Sequence, residues 1–68
     1  MTPGDIIRRE RKRLGWGVRR LATAAEVDAA QLGRIEQSKR SLTLPTAMRI
    51  AKALGVSLAV FDDAEDKG

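Results

Sequence analysis

Cysteine, histidine and tyrosine are absent from this 68-residue chain, and its aromatic complement is one tryptophan and one phenylalanine. Without cysteine there is no disulfide framework and no thiol nucleophile, and without cysteine or histidine there is no zinc site of the usual kind. No metal and no cofactor are expected. No run of about 18 apolar residues is available to span a bilayer, and Met1-Thr2-Pro3-Gly4 leads into charge instead of the apolar core of a signal peptide. The expected location is cytoplasmic, with no membrane partner. A glycine-rich phosphate loop and a carboxylate pair placed for acid–base work are also missing, so the chain is not expected to be an enzyme. Trp16 and Phe61 alone are too few for the stacking platforms that single-stranded nucleic acids require.

What is present is positive charge, unevenly distributed. Residues 1–61 carry twelve basic groups against five acids (Asp5, Glu10, Glu26, Asp28 and Glu36), a balance of +7; residues 62–68 carry Asp62, Asp63, Glu65 and Asp66 against Lys67, a balance of −3. A basic body with an acidic, mobile tail is expected, and a basic body points to a polyanionic partner. A chain of this length folds around one core and lies near the lower limit for unaided stability.

The punctuation divides the chain into five short helical segments without a strand. Thr2, Pro3 and Asp5 have the N-cap, first-turn proline and third-position acid of a helix start, and the charged run that follows stops at Gly15. Val18 to about Ala25 places Val18, Leu21, Ala22 and Ala25 at three- and four-residue steps. Asp28 is a good N-cap for a third helix, Ala29 to about Gln37. Ser38 to Leu42 is a polar, basic loop, and Thr43 caps a fourth helix, Leu44 to Leu54, ending at Gly55, with an inward row of Leu44, Ala47, Ile50 or Ala51, and Leu54. Ser57 opens a last turn, Leu58 to Phe61. The expected core is Ile7, Leu14, Trp16, Leu21, Val27, Leu32, Ile35, Leu44, Leu54, Val56, Leu58 and Phe61. The fold class is therefore all-α, with a domain over residues 1–61 and a tail over 62–68.

Only about three residues join the second and third helices, and with Leu21, Ala25, Val27, Leu32 and Ile35 apolar and Ala22 small the unit reads as a helix-turn-helix, in which the second helix can project into a DNA major groove. Gly15 to Glu36, then Lys39-Arg40, then Ile50-Ala51-Lys52-Ala53-Leu54-Gly55-Val56-Ser57-Leu58 resemble the XRE family of DNA-binding domains, the kind found in phage Cro proteins and phage repressors. The resemblance runs from about Ile6 to Phe61; its most specific parts are Leu21-Ala22, Arg34-Ile35-Glu36 and Ala53-Leu54-Gly55-Val56.

The resemblance implies a lambda-repressor-like fold and a bacterial or phage-encoded protein that binds double-stranded DNA as a transcriptional regulator, a repressor in the first instance. It places Asp28, Ala29, Ala30, Gln31, Gly33 and Arg34 toward the bases. It places Val18, Arg19, Ser38, Lys39 and Arg40 against phosphates, and pairs Arg11 with Glu36. Arg34 is the best candidate for guanine and Gln31 for adenine, while Ala29 and Ala30 offer only methyl contact to thymine. Arg8, Arg9, Lys12 and Arg13 strengthen the field without touching DNA. The chain also departs from the family pattern. Val18 stands where glutamine is usual, Gly17 where a capping serine is usual, and Glu26 where the turn usually has glycine.

A domain this small reads few bases, so a homodimer on DNA is expected, with contacts near Leu42, Val56, Leu58, Val60 and Phe61. The alternative is an antitoxin or accessory protein-interaction subunit whose DNA binding is weak or partner-dependent. The acidic tail and the thin reading surface favour that alternative.

Overall fold

Helix α1, Pro3–Arg13, begins on a complete capping box in the computed structural model, which describes residues 1–63. The Thr2 hydroxyl accepts from the Asp5 N–H at 3.2 Å and the Asp5 carboxylate accepts from the Thr2 N–H at 3.0 Å. The Thr2 backbone N–H, then its side chain and the Arg8 charge, hold the Asp5 carboxyl below its ordinary 3.8. Since the folded value lies below the unfolded one, the contribution of this cap is complete above the unfolded value and is lost as pH falls through the folded one. The start of α1 is therefore expected to fray below about pH 4 and to be insensitive between about pH 5 and 7, where no histidine titrates. Amide shifts of Thr2 and Asp5 followed by NMR would show the transition, and Asp5→Asn would abolish it.

Helices α2 (Val18–Ala25), α3 (Ala29–Glu36) and α4 (Leu44–Leu54) follow, then a 3₁₀ helix, Leu58–Asp63. The fifth expected helix is thus of the tighter kind, and it takes in Asp62 and Asp63, the first two acids of the expected tail. The rest of that tail, 64–68, lies outside the described residues. Left-handed glycines end two helices, Gly15 at φ 71° after α1 and Gly55 at φ 73° after α4. Thr43 occupies the N-cap position of α4, but its hydroxyl donates to the Thr46 hydroxyl at 3.1 Å and caps no backbone amide.

The main cluster joins Ile7 of α1, Leu21, Ala22 and Ala25 of α2, Leu32 and Ile35 of α3, and Ile50 and Leu54 of α4. Leu14, Trp16, Val27, Leu42, Val56 and Phe61 pack around it half-buried. Two expected core residues lie elsewhere: Leu44 is 63% exposed and Leu58 37%. The inward row of α4 is Ala47, Ile50, Ala51 and Leu54, so the first turn of the helix runs past the edge of the core and carries Leu44 with it. Ile6, absent from the expected set, is buried. Helix α1 packs against α3, α4 and the 3₁₀ helix, so more than one of its faces is covered.

Glu26 ends α2 at φ 59°, ψ 43°, the left-handed region. A non-glycine residue there costs roughly 1–2 kcal/mol, partly offset by the extra freedom that glycine loses on folding. Glu26→Gly is expected to stabilise the protein by about 1 kcal/mol, seen as a rise of roughly 4–8 °C in the thermal midpoint. An unchanged or lower midpoint would show that the Glu26 side chain compensates for its backbone.

Candidate nucleic-acid interface

The connection between α2 and α3 is Glu26-Val27-Asp28, closed by Val27 N–H donating to the Ala22 carbonyl at 3.0 Å. Ala22 and Ala25 are buried beneath it, small where two helices must approach closely. The Asp28 carboxylate then accepts from the Gln31 N–H at 3.0 Å, so this acid caps α3.

From that cap the eight residues of α3 divide by helical period. Leu32, Ile35 and Glu36 are buried, whereas Ala30 and Arg34, one turn apart, are exposed; Gln31 and Gly33 are half-exposed beside them. Ala29 packs partly against the core and presents less of itself than Ala30. A Cβ at Gly33 would meet nothing within 4 Å, so this glycine leaves a shallow place in the outer face of α3. Arg34 is the one long cationic side chain on that face.

Ser38, at φ 62°, turns the chain out of α3, with its N–H on the Ile35 carbonyl at 3.0 Å and the Lys39 N–H on the Arg34 carbonyl at 2.8 Å. Ser38, Lys39 and Arg40 follow in exposed positions. At the other end of the unit, α2 starts on Gly17, which supplies no side-chain cap. Arg19 is exposed, but the Val18 side chain packs half-buried against the core, so only its backbone is offered at the expected phosphate position. Arg20 lies over the Trp16 ring at 4.9 Å from its centroid, a cation–π contact that composition did not suggest.

Charge separates the arginines of α1 from Arg34 and Arg40. Arg8 approaches Asp5 and Glu36, Arg9 and Arg13 approach Glu10, and Arg11 approaches Glu36. Arg34, Lys39 and Arg40 enter no ion pair among the described residues.

Arg11 and Glu36 meet as the resemblance implies. The carboxylate accepts from Arg11 Nε and Nη2, both at 2.9 Å, and Arg11 Nη1 donates to the Trp16 carbonyl at 2.9 Å. The bonds to Glu36, opposed by burial and aided by its charge, raise the Arg11 pKa. Arg8 joins them, donating from Nη2 to the Glu36 carbonyl at 2.7 Å. This was not anticipated, although Arg8 and Arg11 stand three residues apart on one helix, a spacing that puts two side chains side by side.

A helix-turn-helix family model matches residues 7–61. The HTH-type transcriptional regulator SutR of Escherichia coli (strain K12) is 41% identical over 51 residues, which cover 75% of this chain and 29% of that protein. The chain therefore spans less than a third of the length of that regulator. The crystal structure of the restriction-modification controller protein C.AhdI from Aeromonas hydrophila superimposes with a TM-score of 0.83 at 24% identity, covering 85% of this chain and 88% of that one. At that identity the likeness is one of fold.

Proposed function

Because the chain belongs to the XRE-type helix-turn-helix family, we propose that it is a sequence-specific double-stranded DNA-binding transcriptional regulator, acting as a repressor with α3 in the major groove. The observation that carries this reading is the grouping, on α3 and the loop after it, of three cations that enter no ion pair among the described residues. Arg34 stands on the outer face of a capped, two-turn helix, and Lys39 and Arg40 stand exposed on the loop that leaves it. In this role Arg34 donates its planar fork to guanine O6 and N7, and Gln31 reaches an adenine. Ala30, with Ala29 behind it, meets a thymine methyl. The amides of Val18 and Arg19, the Arg19 side chain, and Ser38, Lys39 and Arg40 hold phosphates and set register.

Few bases are read by so short a face, so useful discrimination requires a two-fold dimer on half-sites about one helical turn apart. Of the residues expected at that contact, Leu42, Val56 and Phe61 already pack on the core. Leu44 and Met48, one turn apart on α4 and 63% and 54% exposed, offer apolar surface in their place. That same surface favours the second reading, in which another protein docks and DNA binding depends on it.

Selection from a random duplex library at near-physiological salt separates the two. A two-fold symmetric motif with half-sites roughly 10 base pairs apart is the expected result. No enrichment would overturn sequence-specific binding by the chain alone and leave the partner-dependent reading.

A further inference from the structure

Gly4 is buried in the first turn of α1, where a Cβ would overlap the Ile35 carbonyl oxygen and lie 2.7 Å from that of Glu36 and 2.9 Å from the Glu36 carbonyl carbon. The first turn of α1 thus meets the last turn of α3 backbone to backbone. Two side-chain bonds flank this contact. Arg8 Nη2 donates to the Glu36 carbonyl at 2.7 Å, and the Ser38 hydroxyl donates to that of Thr2 at 3.3 Å. The Glu36 carbonyl is among the last four of its helix, which no intrahelical amide satisfies, and a cation is favourable at that end. The Ile35 carbonyl against Gly4 also accepts the Ser38 N–H, so the loop bearing Lys39 and Arg40 departs from this same seat.

We propose that Gly4 and Arg8 are positioning residues for DNA recognition. Gly4 lets α1 close on the end of α3, and Arg8, bound to the Glu36 carbonyl, locks the pitch of α3 and the departure of the Lys39-Arg40 loop. Arg8 acts through α3 and touches no phosphate. This inference rests on the DNA-binding reading above. Its physical basis is displacement. Eight residues make a helix about 12 Å long, so a shift of about 1 Å at one end tilts it by only about 5° but moves that end and the loop leaving it by about twice the 0.5 Å that placed recognition groups tolerate.

The test measures binding of the full chain to its selected duplex and to a scrambled duplex across a salt series, together with amide exchange of Ser38 and Lys39 in the absence of DNA. Arg8→Gln is expected to cut the selected-to-scrambled affinity ratio roughly tenfold while leaving the salt slope unchanged. It should also speed exchange at both amides roughly tenfold. Arg8→Lys, which keeps a donor and the charge, should recover part of both losses. Gly4→Ala should act in the same direction and more strongly. Ala47→Gly, in α4, should lower stability without altering the ratio, which separates positioning from general destabilisation.

A salt slope lowered by about one contact with the ratio intact would make Arg8 a phosphate ligand and overturn the proposal. An unchanged ratio with unchanged exchange would also overturn it. Failure of Gly4→Ala to fold leaves Arg8→Gln to decide. If the unmodified protein does not distinguish the two duplexes, the DNA-binding reading fails. Exchange at Ser38 and Lys39 then still decides whether Arg8 holds the loop, and unchanged exchange counts against it.

Discussion

Glu36→Ala is expected to cost roughly 3–5 kcal/mol and to leave between about 3% and about half of the protein unfolded at 25 °C. Glu36 is 5% exposed and receives two bonds from Arg11, whose side chain is 11% exposed, with Arg8 Nε 3.6 Å from the same carboxylate. Without the carboxylate, two arginines face each other around a cavity, and Arg11 keeps only its bond to the Trp16 carbonyl. For a small domain whose total stability is about 5 kcal/mol, at the lower end of the usual range, that loss is decisive. Arg11→Ala should cost somewhat less, because Arg8 remains to neutralise the carboxylate.

The pair is costly to break without being worth much as a pair. Arg11→Met combined with Glu36→Leu should therefore lose less than either single truncation, since neither charge is then stranded. Urea unfolding followed by Trp16 fluorescence measures all of these variants. A cost below about 1 kcal/mol for Glu36→Ala would mean that the two charges behave as though solvated.

The second large effect concerns binding. Arg34→Ala is expected to flatten base preference at one or two positions by about 1–3 kcal/mol and to leave the remainder of the motif intact. Lys39→Ala with Arg40→Ala should weaken binding to every duplex alike and reduce the slope of log affinity against log salt by about 1.8, the worth of two phosphate contacts. The difference follows from where the side chains stand. Arg34 projects from the outer face of α3, whereas Lys39 and Arg40 lie beyond the Ser38 turn, off the helix. A binding titration of both variants against matched and scrambled duplexes checks the assignment. If the two variants behave alike, base reading and phosphate contact are not divided as proposed.

Much of this arrangement is legible in the chain because it is local. Thr2, Pro3 and Asp5 form the cap their spacing predicts, Asp28 starts α3, and Glu26 takes the left-handed conformation that its place after a helix requires. Each of these depends on hydrogen bonds within about four residues, for which backbone chemistry has few solutions. The Arg11–Glu36 pair, 25 residues apart, was expected only through resemblance to a family. Periodicity placed Leu44 inward because it counts positions along a helix without knowing where the core ends.

The amino-acid sequence by itself determined the four α-helices, the caps at Thr2 and Asp28, the helix-turn-helix and the excess of positive charge, since each is a property of neighbouring residues or of composition. The tertiary structure alone decided that Gly4 touches the end of α3, that Arg8 binds a carbonyl 28 residues away and that Leu44 and Met48 face outward. Those outcomes depend on how closely and at what angle whole helices meet. That is set by the packing of many side chains at once and leaves no mark on any short stretch of chain.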